Sequence, residues 1–127
     1  MDTNVLLAAI IKPEVLPGDV QRLLQDPGST IYFSAVSIWE IAIKRSLERD
    51  DFNFLPEDIH QLALETGFTE LSMDSVHCYP VVGMEWHHRD PFDRLLIAQA
   101  QTIPAYLLTT DSVLERYSEL VHRIRLK

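Results

Sequence analysis

Short β-prone runs alternate with amphipathic helical patterns along this chain, and that alternation limits the possible folds more than any other feature. Strands are predicted at residues 31–33, 68–71 and 105–108. Helices are predicted at 17–26, from Ser37, from Pro56 and after Asp90, with shorter ones near 74–81 and after Asp111. Strands that alternate with helices favour a mainly parallel sheet covered on both faces. The sequence therefore predicts an α/β fold.

Length and composition restrict the class of protein further. A chain of 127 residues with 46% hydrophobic residues is expected to form a single domain, 1–127, with one core. Cys78 is the only cysteine, which excludes an intrachain disulfide and a cysteine-rich zinc site and fits a reducing cytoplasm. The apolar stretch 5–11 is too short and wrongly flanked for a signal peptide or a membrane span. We expect a cytoplasmic protein without a membrane partner.

The formal net charge of −8 excludes one mode of nucleic-acid binding. Proteins that hold nucleic acid by bulk phosphate neutralisation need a broad basic surface. A brief encounter with RNA remains compatible with the charge, because metal ions bound to clustered acids make the local field less negative. Acidic surface elsewhere is suited to a basic partner protein.

Four acidic residues lie at predicted boundaries between strands and helices or in first helical turns. They are Asp2, Glu40, Asp93 and Asp111. In an α/β fold such boundaries meet at one edge of the sheet, so these side chains are expected to converge. Carboxylates are the ligands that Mg²⁺ or Mn²⁺ prefers, and a bound ion activates water and neutralises phosphoryl charge. The pattern predicts a metal-dependent phosphodiester hydrolase.

Each acid also has a purely structural explanation. Asp and Glu are favoured at helix N-caps and first turns, where a cap contributes about 0.5–2 kcal/mol. Asp90 fits this explanation best, because Pro91 follows it at the first helical position. Glu40 and Asp93 fit it less well, since apolar residues surround both, although Lys44 or Arg94 would satisfy them in structural ion pairs.

At these residues the chain resembles the PIN-domain ribonucleases, in particular the VapC-like toxins of bacterial toxin–antitoxin systems. The stretches that carry the resemblance are DTNVLL at 2–7, SAVSIWEIAIK at 34–44, HRDPFDRLLIAQA at 88–100 and LLTTD at 107–111. They occur in the family's order and with its approximate spacing. Together they cover nearly the whole chain.

The resemblance implies a three-layer α/β/α sandwich and an endoribonuclease that depends on Mg²⁺ or Mn²⁺. It also implies inhibition by a cognate antitoxin whose tail covers the active site. By position, the family's acidic quartet corresponds to Asp2, Glu40, Asp93 and Asp111. The resemblance further implies supporting polar roles for Thr3, Asn4, Ser37 and Thr110, and an assisting role for Arg94 toward a carboxylate or phosphate.

One departure from the family pattern concerns the first strand. Family members usually carry a hydrophobic strand before the first acid, whereas here Met1 directly precedes Asp2. Either the true start lies upstream or a central strand of the sheet is truncated. We expect Asp2 to lie at a frayed terminus, with weakened metal affinity as the consequence.

Other functions compete with the nuclease. A catalytically weakened PIN-fold protein would act mainly as an antitoxin-binding module, and a phosphatase would need a second Asp where Asn4 stands. His87 and His88 lack the spacing of a zinc site. Trp39 is expected in the core, which leaves Trp86 as the better residue for stacking on bases. Exposed apolar residues on the early helices are suited to a homodimer contact.

Overall fold

The computed structural model describes residues 1–47, 52–85 and 90–127. Five α-helices span Thr3–Ile11 (α1), Gly18–Gln25 (α2), Ala35–Ser46 (α3), Pro56–Glu65 (α4) and Pro91–Thr102 (α5) in these ranges. Four strands span Tyr32–Ser34 (β1), Thr69–Leu71 (β2), Leu107–Thr109 (β3) and Val121–Arg123 (β4). Short 3₁₀ helices occupy Pro13–Val15, Ser75–Gly83 and Ser112–Arg116. The prediction of an α/β fold is confirmed.

All strand pairing among the described residues is parallel, as predicted, but it forms two pairs. In the first, Phe33 of β1 lies opposite Glu70 of β2, and in the second, Leu108 of β3 lies opposite His122 of β4. Met1 and Asp2 lie between the pairs. The Met1 ammonium is 3.5 Å from the Tyr32 carbonyl oxygen, and the Asp2 N–H donates to the Leu108 carbonyl at 2.9 Å.

A largely apolar cavity of about 320 Å³ lies between β1 and β3. Met1, β1 and β3 contribute to its walls, together with side chains from α2 and α5. Met1 and the extended residue Asp2 link the two parallel pairs through the contact with Tyr32 on the β1 side and the backbone hydrogen bond to Leu108 on the β3 side.

Local sequence explains where the helices begin. The Asp2 carboxylate caps α1 by accepting from the Val5 N–H, and the Ser34 hydroxyl caps α3 by accepting from the Val36 N–H. Asp90 caps α5 ahead of Pro91, as predicted. Each of these caps directly precedes its helix. The first turns of α1 and α5 contribute Thr3, Asn4 and Asp93 to one pocket, and Ser37 in the first turn of α3 contacts Thr3.

The interior consists of two apolar clusters. One joins α1, α2 and α4 to β1, with Leu6, Phe33 and Ile59 at its centre. The other packs α5 against β3 and β4 around Ile97 and Leu114. Helix α3 contacts both clusters because Ile41 faces the first and Val36 the second. The acids on α3 and α5 are therefore held by helices with buried, well-packed faces.

Three elements were not among those predicted from the sequence: α1, the 3₁₀ helix at Pro13–Val15 and β4. Helix α1 has apolar residues around most of its circumference, so it carries little helical periodicity. Strand β4 is three residues long, with only Val121 buried. Among the described residues, none of the helices is long and apolar enough to cross a membrane.

Candidate active site

Acidic side chains from four separate segments line a second pocket of about 210 Å³. All four acids of the predicted quartet are among them. The lining comprises Asp2, Thr3, Asn4, Glu40, Lys44, Asp90, Asp93 and Asp111. The segments that carry these acids follow β1 and β3 or begin α1 and α5, so the parallel topology brings them together as predicted.

Asp2 is held firmly, contrary to the expectation of a frayed terminus. Its side chain is 4% exposed, and both carboxylate oxygens accept hydrogen bonds, at 2.9 Å from the Val5 N–H and at 2.5 Å from the Thr109 hydroxyl. The backbone N–H of Asp2 also donates to the Leu108 carbonyl, so β3 holds both the main chain and the side chain of this residue. Contacts with β3 and with the first turn of α1 immobilise this acid.

Burial raises the pKa of the Asp2 carboxyl above its ordinary value, and the neighbouring Glu40 carboxylate acts in the same direction. The hydrogen bonds from Thr109 and Val5 and the Met1 ammonium oppose this rise without cancelling it. Burial also lowers the pKa of that ammonium. A carboxylate with raised proton affinity is one that a cation would stabilise.

Glu40 is satisfied by two side chains on opposite sides. One oxygen accepts from the Thr3 hydroxyl at 2.7 Å, and the other lies 2.6 Å from the Lys44 ammonium. The Thr3 oxygen is also 3.0 Å from the buried Ser37 hydroxyl. The Lys44 side chain is 35% exposed and that of Glu40 only 6%, so the ammonium lies at the mouth of the pocket. Lys44 thus balances the negative charge of the Glu40 carboxylate.

The remaining acids combine capping with a place in the pocket. The Asp90 carboxylate accepts from the N–H groups of Phe92 and Asp93, and that of Asp111 accepts from the Val113 N–H at 2.9 Å. Asp93 is in the first turn of α5. The structural and functional explanations for Asp90 and Asp111 therefore coexist, because an Asp cap leaves carboxylate lone pairs available.

The donor set has the chemistry of a divalent metal site. Five carboxylates, one amide side chain and one hydroxyl provide the hard oxygen ligands that Mg²⁺ and Mn²⁺ prefer. As they stand, no three described His, Cys, Asp or Glu side chains are arranged to hold an ion. Asp2 and Glu40 direct their oxygens to hydroxyl groups and to Lys44 instead. The chemistry of these side chains suits a divalent metal ion. To coordinate one, Asp2 and Glu40 would have to exchange their contacts with the hydroxyl groups and Lys44 for contacts with the ion.

Several predicted supporting residues differ from their expected positions. Thr3 and Asn4 line the pocket, and Ser37 supports Thr3 from below. Thr110 does not line it, and its neighbour Thr109 makes the contact with Asp2. Arg94 is 7% exposed and is also absent from the lining, so the prediction that it touches phosphate is not supported by its position.

The ion pair of Lys44 with Glu40, one of the alternatives given by the sequence, is confirmed. Sequence reasoning missed the place of Asp90 in the pocket and the contact of Thr109 with Asp2. A signal for Thr109 was present, because it alternates with Asp111 along an extended segment. Trp39 was predicted to be a core residue, which is wrong, since it is 54% exposed. Trp86, His87 and His88 lie outside the described residues.

A family comparison agrees with this geometry. The model of the PIN domain matches residues 1–120, and the chain belongs to the PIN domain family. PIN domains are generally hydrolytic nucleases, and their nucleases typically use divalent metals. No curated protein and no solved structure shows significant similarity to the chain.

Proposed function

We propose that this protein is an endoribonuclease that depends on Mg²⁺ or Mn²⁺ and serves as the toxin of a toxin–antitoxin pair. The observation that carries the proposal is the convergence of Asp2, Glu40, Asp93 and Asp111 in one pocket. These four residues would hold the metal. When bound, the ion would supply charge neutralisation at the phosphoryl oxygens and a lowered pKa for coordinated water.

The side chains of the pocket have distinct roles in this proposal. In the metal-free protein, Thr109 and Thr3 orient the carboxylates of Asp2 and Glu40 by hydrogen bonds, which coordination of the ion would exchange. Lys44, at the pocket mouth, is placed to meet a phosphate as a point charge. Hydrolysis adds water across one P–O ester bond: a pocket carboxylate accepts the proton of the attacking water, and the leaving oxygen takes up a proton.

The overall charge favours brief contact with RNA and a basic inhibitor. With a net charge of −8, the surface would not retain RNA by phosphate neutralisation alone, so product release is expected to be fast. The same acids would attract a basic segment of an antitoxin, which would compete with both metal and substrate. We place the protein in the cytoplasm, where the exposed thiol of Cys78 would stay reduced.

The position of Asp2 favours the enzyme over a weakened, binding-only protein. The binding-only alternative rests on a mobile first acid, since a loosely held carboxylate cannot position a metal to within a fraction of an ångström. Asp2 is instead buried and hydrogen-bonded through both oxygens and its backbone.

Cleavage of total RNA tests the proposal. Wild type, Asp93→Asn and the control Asp58→Asn, which changes an exposed acid on α4, are incubated with RNA in Mn²⁺, in Mg²⁺ and in EDTA. We expect cleavage by wild type and the control in the metal buffers, and loss by at least 100-fold in EDTA or with Asp93→Asn. Cleavage that survives both chelator and substitution would refute the metal nuclease.

A further inference from the structure

An exposed aromatic pair lies on the two helices that carry Glu40 and Asp93 and has no role in the proposed hydrolysis. The ring centroids of Trp39 and Phe92 are 4.9 Å apart, and the planes meet at 74° in an edge-to-face contact. Phe92 is partly buried and packs against the cluster around α5. Trp39 is 54% exposed, so its indole contacts the Phe92 ring and is also open to solvent.

Each ring belongs to the residue immediately before an acid of the proposed site. Trp39 precedes Glu40 on α3, and Phe92 precedes Asp93 on α5. Successive Cα atoms are about 3.8 Å apart, so the backbone that carries the pair is directly adjacent to the backbone that carries the acids. On each of two helices in mutual contact, an aromatic residue is thus the chain neighbour of an acid of the proposed site.

We propose that Trp39, supported by Phe92, forms a stacking site for one nucleobase beside the phosphodiester that is cut. The inference rests on the proposed function and specifies its substrate as single-stranded RNA with an unpaired base at this position. Stacking accepts any base and needs no positive charge, which suits a protein with a net charge of −8. Lys44 would meet the phosphate while Trp39 fixes the base.

Apolar residues on α3 and at its C-terminal end provide a control for this interpretation. Ile43 and Leu47 follow Trp39 at spacings of four and eight residues and are 37% and 62% exposed. A protein partner that lay along the helix would contact all three side chains. A base stacked on Trp39 would not reach Leu47, which lies about 12 Å further along the helix axis.

The experiment compares Trp39→Ala, Trp39→Phe and Leu47→Ala with wild type on a fluorescein-labelled single-stranded RNA in Mn²⁺. We expect Trp39→Ala to raise KM about tenfold, within the roughly 5- to 150-fold range of one stacked base, with a smaller change in kcat. Trp39→Phe should recover part of the loss, and Leu47→Ala should match wild type. Thermal unfolding of each variant checks that the fold is retained.

A series of RNA probes with one abasic position each identifies the stacked base. At one position next to the cleavage site, the missing base should raise the KM of wild type and leave that of Trp39→Ala unchanged. Equal KM for Trp39→Ala and wild type, or equal losses for Trp39→Ala and Leu47→Ala, would overturn the stacking site. If wild type does not cut the probe, the proposed function fails, and the Kd from fluorescence anisotropy replaces KM in the same comparison.

Discussion

Replacing Asp2 with Asn separates the cost of a buried charge from the hydrogen bonds around it. The amide is nearly isosteric with the carboxylate, and Asn caps helices about as well as Asp. Its carbonyl oxygen would keep the bond from the Val5 N–H, and its NH₂ group would face the Thr109 hydroxyl oxygen. The variant removes the negative charge while the local packing stays the same.

The structure gives the direction of the effect on the metal-free protein. Because burial raises the pKa of Asp2 above 3.8, the folded state binds this proton more tightly than the unfolded state. The resulting stability is present below pH 3.8 and is lost as the pH rises through the folded pKa. Two losses offset part of the stability gained by removing the charge in the variant: the hydrogen bonds to the neutral amide are weaker, and the Met1 ammonium loses the attraction of the Asp2 carboxylate.

We therefore expect Asp2→Asn to raise the stability of metal-free protein near neutral pH by about 1 kcal/mol, the low end of the cost of an incompletely compensated buried polar group, or about 4 °C in Tm. The assay is thermal unfolding in EDTA at a series of pH values, with Asp58→Asn as the exposed control. The advantage should shrink as the pH falls toward 3.8. Saturating Mn²⁺ should reverse the order, because ligand at 100 times Kd stabilises wild type by about 2.7 kcal/mol.

Two results would refute this reasoning. A metal-free variant less stable than wild type by 1 kcal/mol or more would mean that the hydrogen bonds to the charged form outweigh its burial. An unchanged order in saturating Mn²⁺ would mean that Asp2 does not contribute to a metal site.

Two further predictions concern charges near the pocket and the cavity beside Met1. Lys44→Gln should destabilise metal-free protein by about 1–2 kcal/mol in urea unfolding, because it leaves the buried Glu40 carboxylate without its countercharge. The control Lys12→Gln, at an exposed site, should have no effect. Equal urea midpoints for the two variants would contradict the role of the ion pair. Adding four Val and Ile residues before Met1 should raise the free energy of unfolding by about 1–3 kcal/mol. The added residues would fill the cavity between β1 and β3, and they would convert the buried Met1 ammonium into an amide. An equal response to a Gly-Ser extension would rule out strand insertion.

The residues that sequence reasoning placed correctly depend on local chemistry. Asp90 and Pro91 define the start of α5 because capping and the fixed φ of proline act within one turn. The convergence of Glu40, Asp93 and Asp111 followed from strand order alone, since parallel strands bring their carboxyl ends to one edge.

What could not be predicted depends on tertiary contacts. The choice of Thr109 over Thr110 as the partner of Asp2 depends on which face of β3 meets the inserted N-terminal residues. The immobilisation of Asp2 has the same origin, because β3 holds it through the Leu108 carbonyl and the Thr109 hydroxyl. Trp39 is an apolar residue, so the sequence alone predicts that it lies in the core. Its exposure follows from the way α3 packs between the two apolar clusters.

Calorimetric titration of Mn²⁺ into metal-free protein tests the metal site most directly. We predict saturable binding by wild type, loss of that binding in Asp93→Asn, and unchanged binding in Asp58→Asn. Binding should also release protons at mildly acidic pH, because the Asp2 carboxyl has a raised pKa and must be deprotonated to coordinate. Absence of binding to wild type, or equal binding to wild type and Asp93→Asn, would contradict the assignment of this pocket as a divalent metal site.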